Sequence, residues 1–366
     1  MSRPSTDPTG HRGIRLITCL QHWWAKPWVK WLTPFAVFTA VAIALNDRAP
    51  MLKQGLAAVA AADRTGVLLS YLLSCVSLVC MGEVMRILLA AGGIRPAPWR
   101  PTALVFAANA WSTSLPGGQA IATVLSFNAM RSWGASVALC SWQIVFSGAM
   151  STIWLLGLGL MSITNLGSSI PLWSIIPATL TLTGLLAALW WATHHPRHLI
   201  RWARRLLSWW NRLWKQDRLQ HVDTVTNQIR QLGSVELSKR VFISAGLLSL
   251  GNWILDVVAL SVCIGAVTGQ LPALHADSTH TTIAGVIVAY VSSKIAGTVQ
   301  ATPGGLGPVE AVMTAALVAV GMTAAGALGA VFVYRMTSFL AVTATGWLIH
   351  LMVYAKTNLV ETTQTD

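Results

Sequence analysis

Long apolar runs separated by short polar breaks dominate the chain. A helix needs roughly 20 mainly apolar residues to cross a bilayer core. The stretches 29–45, 67–91, 101–130, 135–163, 172–192, 241–267 and 282–354 reach or approach that length. The first is short. The third is interrupted at Pro116-Gly117-Gly118 and the last at Pro303-Gly304-Gly305, with a weaker break at Gly321. Pro removes a backbone donor and Gly opens unusual dihedrals, so each Pro-Gly-Gly predicts the end of a helix.

The polar breaks carry charge unevenly. Between 193 and 240 the chain holds Arg197, Arg201, Arg204, Arg205, Lys215 and further basic residues against Asp217, Asp223 and Glu236. Cytoplasmic loops are enriched in Lys and Arg, so this loop is expected inside. Its first part mixes Trp, Leu and Arg at helical spacing and predicts an amphipathic helix lying on the inner leaflet. His194, His195 and His198 have Pro196 and Arg197 between them and no acidic neighbour, which reads as an interfacial loop and not a metal site. The basic N-terminal segment and the loop at Arg95 and Arg100 are placed on the same side. The loops 164–171 and 269–280 lack Lys and Arg and face outward. The loop 46–66 fits less well, because it should lie outside yet holds Arg48, Lys53 and Arg64.

These sides agree if each broken segment enters the membrane and returns. The expected fold is therefore all-α and polytopic, with about six transmembrane helices plus two re-entrant helical hairpins of opposite orientation. The segments are a cytoplasmic N-terminal region 1–28, a first membrane half 29–192 with a hairpin at 101–131, and a linker 193–240. A second membrane half 241–354 with a hairpin at 282–320 and a cytoplasmic tail 355–366 follow. The halves look like a repeat. Ser114-Leu115-Pro116-Gly117-Gly118 leads to Gly134 as Ala301-Thr302-Pro303-Gly304-Gly305 leads to Gly321. An inverted repeat with broken helices points to a transporter-type binding site. The helix after each break offers free N–H groups and a positive dipole end, which favour an anion such as phosphate. The plainer alternative is a loop between two ordinary spans.

Composition narrows the partners. Hydrophobic residues make up 54% and charged residues 10%, where a soluble domain carries about a quarter charged residues. The net charge is +13. Most of it lies between apolar spans, so anionic lipid headgroups are the expected partner and nucleic acid is not. Eighteen Trp against four Tyr fit anchoring at membrane interfaces. The five Cys show no zinc or redox spacing and read as structural. The polar, basic N-terminus is not a cleavable signal. No cofactor or metal is expected, and the location is the cell membrane with both termini cytoplasmic.

The run Thr302-Pro303-Gly304-Gly305-Leu306-Gly307-Pro308-Val309-Glu310-Ala311, then Gly321, Val333-Tyr334-Arg335-Met336 and Gly346, resembles the flippase-like transmembrane region of lysylphosphatidylglycerol synthases. The first hairpin, from Asn109 through Leu115-Pro116-Gly117-Gly118 to Arg131 and Gly134, fits more loosely. The resemblance covers most of the chain from about Val67 to Met352. It implies movement of a lipid, or a lipid-linked headgroup, between leaflets. Two departures matter. Bifunctional members carry a soluble synthase domain after the membrane part, whereas this chain ends soon after its last span, so aminoacyl transfer is not expected. Many relatives place an acidic residue after the first hairpin's glycines, where this chain has Gln119.

Ionisable residues inside spans are costly and usually functional. Here they are Glu83 with Arg86, Asp256, Lys294, Glu310 and Arg335. Glu83 and Arg86 can pair within one helix. Glu310 and Arg335 match the Glu and Arg positions of the family. They are expected to lie close together, with Arg335, Lys294 and the helix starts at Gly117-Gly118 and Gly304-Gly305 receiving a lipid phosphate. The alternative is a buried ion pair that only fixes helix register. Asp256 is a candidate proton relay. The leading reading is a lipid flippase or transporter. A non-transporting scaffold for a lipid or cell-wall glycan synthase is the second. An intramembrane lipid-modifying enzyme ranks last, because neither His-Glu-x-x-His nor Gly-x-Ser-x-Gly occurs.

Overall fold

The computed structural model describes residues 60–115, 117–164, 172–194, 237–273, 281–298 and 302–354, together with residue 57. The expected N-terminal segment and first span, Pro116, most of the basic linker with its amphipathic helix, and the tail lie outside the described residues. The helices are α1 (Arg64–Ala91), α2 (Trp99–Ser114), α3 (Gly118–Ser132), α4 (Val137–Thr164), α5 (Leu172–His194), α6 (Lys239–Thr268), α7 (Ile283–Gly297), α8 (Pro308–Ala319), α9 (Ala324–Arg335) and α10 (Val342–Val353). A 3-10 turn at Pro303–Gly305 precedes α8, and a π-helical segment, Met336–Ala341, joins α9 to α10. Among the described residues the β structure amounts to an isolated bridge between Ala273 and Thr282.

Four helices among the described residues are long and apolar enough to cross a membrane: Arg64–Ala91, Val137–Ile163, Lys239–Thr268 and the composite Ala324–Val353. They start where short polar side chains satisfy free N–H groups. Asp63 accepts from the Gly66 amide, Ser238 from Val241 and Thr323 from Gly326. The composite helix departs from the sequence reading, which places no break between Gly321 and residue 354. Its π-helical segment inserts a wider turn directly after Arg335. Such turns are rare and are found frequently at functional sites.

Polarity is arranged inside out. Leu68, Leu69, Leu72, Val76 and Val79 of α1 are exposed, whereas Ser70, Ser74 and Ser77 of the same helix are buried. The buried serines fall at helical spacing on one face, and that face meets α6. The pair runs antiparallel. Asp63 N–H donates to the Ala266 carbonyl, the Cys263 thiol donates to Ser70, and Ser77 lies at Asn252 and Asp256. Lipid is as apolar as Leu, so helices in it associate through small residues and polar contacts. The α1–α6 seam has that composition, and the apolar faces are left for lipid.

Two helix–turn–helix pairs pack around this seam. In the second, α7 and α8 run antiparallel. Thr281 donates its hydroxyl to the Val320 carbonyl at one end, and Gly297 lies against Val309 at the other. In the first, Ala110 and Trp111 of α2 pack with Ala122 of α3 beside the turn, and Ala103 and Leu104 share a cluster with Ala129 and Met130 at the far end. Several helices of the two halves are similar in length. α1 and α6 have 28 and 30 residues, α2 and α7 have 16 and 15, and α4 (28) matches the 30-residue composite. The halves also interlock. α10 lies on α2, with Thr343 bonded to Thr113 at 2.9 Å and the Trp347 indole donating to Ser114 at 2.9 Å. α4 lies on α7 through Gly159 and Val291.

The α2–α10 seam depends on a glycine. A Cβ at Gly346 would stand 2.3 Å from the Phe106 carbonyl oxygen, a backbone atom that cannot turn away. Gly346→Ala is expected to cost about 1–3 kcal/mol through forced backbone shifts. Gly184→Ala, where a Cβ meets nothing within 4 Å, is expected to leave stability unchanged or higher. Thermal melts of the detergent-purified variants check both.

Candidate functional site

The second turn is built by its residue order. The Thr302 hydroxyl donates to the Leu306 carbonyl at 2.8 Å and closes the loop around Pro303, Gly304 and Gly305. Gly304 takes φ 58°, ψ 17°, a left-handed conformation that disfavours any side chain. Its neighbourhood excludes one too, because a Cβ there would lie 2.1 Å from the Phe339 ring. Pro308 then starts α8 at the position where a missing N–H costs nothing. Glu310, in the first turn, reaches back so that Oε2 accepts from the Gly307 amide at 2.5 Å. An acid there also complements the helix dipole.

The other oxygen of Glu310 holds Arg335. Arg335 Nε donates to Glu310 Oε1 at 2.5 Å, and Nη2 donates to the Gly304 carbonyl at 2.8 Å. The guanidinium lies over the Phe339 ring, 4.2 Å from its centroid, a cation–π arrangement. The side chains of Arg335 and Glu310 are 15% and 18% exposed. A guanidinium has five N–H donors, and among the described residues two of them are used. The remaining donors stand at the broken helix, beside the start of α8. Chemically this is a charged, partly desolvated donor set suited to an anion with several oxygens, such as a phosphate.

Lys294 and Asp256 form a second cluster. Asp256 of α6 accepts from Ser77 of α1 at 2.9 Å and from the Tyr290 hydroxyl of α7 at 2.7 Å. The Lys294 ammonium is 3.5 Å from its Oδ2. That ammonium also lies 4.9 Å from the Tyr290 ring centroid and 5.6 Å from that of Trp253. Asp256 is 15% exposed and Lys294 37%. The clusters share one element pair: Lys294 lies one turn before Gly297, which touches Val309, the neighbour of Glu310. Tyr334, next to Arg335, shares a buried core with Tyr290.

The first turn repeats the backbone without the charges. Gly117 has φ 66°, ψ 14°, close to Gly304, and Gly134 and Gly321 both have positive φ. Gly118 opens α3 so close to α2 that a Cβ would lie 2.4 Å from the Trp111 carbonyl. Counting onward from the two glycine pairs, Glu310 corresponds to Thr123 and Arg335 to Gly148. Among the described residues Thr123 bonds its own helix at Gln119, and nothing stands within 4 Å of a Cβ at Gly148. No hydrogen bond or ion pair among the described residues links Gly117 or Gly118 to Arg335. Glu83 and Arg86 pair within α1, each 37% exposed.

Sequence reasoning did not find the π segment, Phe339, or the partners of Asp256. Several were within reach of it. Tyr290 precedes Lys294 by four residues and Asn252 precedes Asp256 by four, the spacing that places side chains on one helix face. The π turn has no sequence rule; within it Thr337 bonds Ser70 of α1 at 3.0 Å.

A seam of small and polar residues, apolar outer faces and broken helices define a polytopic helical membrane protein. The sequence model of the lysylphosphatidylglycerol synthase transmembrane region matches residues 31–346, and the chain belongs to that family. None of the curated proteins matches it closely enough to count as a relative.

Removing one partner of this largely buried pair leaves an undercompensated charge. Arg335→Met and Glu310→Gln are each expected to destabilise the protein by about 3–5 kcal/mol. The double variant is expected to lose less than the sum, with a coupling of about 1–3 kcal/mol in a double-mutant cycle. Thermal or denaturant unfolding in detergent measures the three differences.

Proposed function

We propose that this protein moves an anionic phospholipid or lipid-linked intermediate between the leaflets of the cell membrane. The observation that carries the reading is Arg335. It is a nearly buried guanidinium with spare donors, placed where a helix is broken by glycines. Irregular backbone is tolerated at membrane depth where protein or a water-filled cavity covers it, and a cation at that depth marks a substrate path. In this reading Arg335, the first turn of α8 and Lys294 receive the phosphate. The two helix–turn–helix pairs are re-entrant hairpins of opposite orientation, entered from opposite sides of the membrane. The antiparallel run of α1 against α6 and the matched helix lengths support an inverted repeat. Six spans then follow if 29–45 and α5 also cross, with both termini cytoplasmic. Transport proceeds by alternating access, one repeat rocking against the other around the site.

The test is lipid translocation in vesicles that contain only this protein. Labelled phosphatidylglycerol and a labelled polyprenyl-phosphate lipid are followed from inner to outer leaflet. Wild type is expected to move at least one of them, Arg335→Ala to be slower by about tenfold or more, as loss of one charge-assisted contact worth 1.5–3 kcal/mol implies, and Arg335→Lys to be intermediate. Monodisperse, folded wild type that moves neither lipid would overturn transport and favour a scaffold for a lipid or cell-wall synthase. Full transport by Glu310→Arg/Arg335→Glu would show that the pair only fixes register.

A further inference from the structure

The Asp256 cluster differs from the Arg335 cluster in a way that bears on what drives transport. Arg335 is held tightly, by a 2.5 Å bond to Glu310 and a 2.8 Å bond to a backbone carbonyl. Lys294 is held loosely. Its 3.5 Å approach to Asp256 is longer than the roughly 2.7–2.9 Å of a charge-assisted bond. Its other contacts are two ring faces, and its side chain is more than twice as exposed as that of Asp256. An ammonium on a flexible four-carbon stem can leave such a position without breaking a close hydrogen bond.

Once Lys294 leaves, no other cation among the described residues bonds Asp256. From α1 it is faced by the Ser77 hydroxyl, and from its own helix by Asn252, which Ser77 also contacts. From α7 it is faced by Tyr290 and Lys294. From α9, Tyr334 lies in the buried core that also holds Tyr290 and Cys263. Trp253, on α6 itself, turns its indole N–H to the Ser151 carbonyl of α4. Apart from Lys294, these groups are neutral. A carboxylate near the middle of a 30-residue apolar helix, with no cation beside it, is more costly to keep than a carboxylic acid.

We propose that Asp256 is a proton-binding site linked to the anion site, loaded when Lys294 turns from Asp256 to an arriving headgroup phosphate. This rests on the anion site of the preceding subsection and adds the coupling ion. The balance is simple. Lys294 stays an ammonium throughout, the singly charged phosphodiester enters, and Asp256 carboxylate takes one proton from water to become the acid. Before binding, the ammonium offsets the carboxylate. After binding, it offsets the phosphodiester. The cluster is neutral in both states, so one proton accompanies each headgroup and the loaded site can cross between access states without carrying net charge.

The full-length protein in detergent, with dihexanoyl phosphatidylglycerol as the probe, tests this. Its phosphodiester stays singly charged from pH 5.5 to 8.5. Affinity in wild type is expected to weaken by up to tenfold per pH unit over part of that range, the slope of one linked proton. A weakly buffered titration with a pH dye is expected to show about one proton taken up per headgroup bound. Asp256→Asn and Lys294→Met are expected to flatten the slope to less than twofold per unit and to abolish proton uptake, whereas Asp256→Glu keeps both. The separate Lys294→Met variant retains the carboxylate, so it tests the linkage even if Asp256→Asn fails to fold. Wild type that binds the lipid with no pH slope would overturn the linkage and leave the anion site standing. A slope retained by folded Asp256→Asn or Lys294→Met would do the same. Wild type that binds no lipid at any pH would overturn both.

Discussion

The carbonyl of Gly304 stands at the helix break before α8, and the guanidinium of Arg335 donates to it. This contact sets much of the surrounding structure. A backbone carbonyl left unpaired in an apolar environment costs on the order of a lost hydrogen bond, so a carbonyl freed at a helix break is stabilised by a donor brought from elsewhere. Arg335 supplies it from a different helix. The guanidinium then needs an anion, and Glu310 provides one while capping its own helix at Gly307. Phe339 covers the charge from the π turn. Each of these residues answers a need created by the one before it. The break, the acid, the base and the ring therefore form one unit.

The same logic operates at the α1–α6 seam with neutral groups. Ser70 bonds Thr337, Cys263 bonds Ser70, and Ser77 joins Asn252 and Asp256. Each contact is small, on the order of 0.6 kcal/mol where such bonds have been measured inside membranes. They fix register more than they add stability. The close approach comes from small side chains such as Gly66, which lies against Ala266. Register along this seam decides whether Asp256 meets Ser77 on one side and Tyr290 on the other. The second cluster is thus a product of the helix packing that also shapes the first.

Much of this could be read from the chain. The long spans in 67–91, 135–163 and 241–267 follow from length and apolarity, and their observed ends differ by a few residues where Asp63 and Ser238 cap. The two helix breaks follow from Pro-Gly-Gly, and the positive φ of Gly117 and Gly304 shows why glycine stands there. The nearness of Glu310 and Arg335 needed more than spacing, because they lie on different helices, and it was the family's motif that named them. Other features are three-dimensional by nature. The π turn after Arg335 sets Thr337 against Ser70 of another helix, and the aromatic walls around Lys294 come from two helices. Hydropathy registers neither of them.

The two turns separate architecture from chemistry. Both turns share left-handed glycines, and both are followed by a second positive-φ glycine before the next helix. Their charges do not repeat. The second turn is tied to its closing helix by Arg335 and Glu310, whereas the corresponding places in the first half hold Gly148 and Thr123, which form no such tie. If the charges existed to make the break possible, the first turn would need them as well. It is formed without them, its Gly118 amide bonded to the Leu115 carbonyl at 2.9 Å and its helices packed through Trp111 and Ala122. The first break is therefore formed with glycine and packing alone. What Arg335 and Glu310 add at one break is a concentrated, partly buried charge pair beside a helix start, and that surplus is what the proposed anion site draws on.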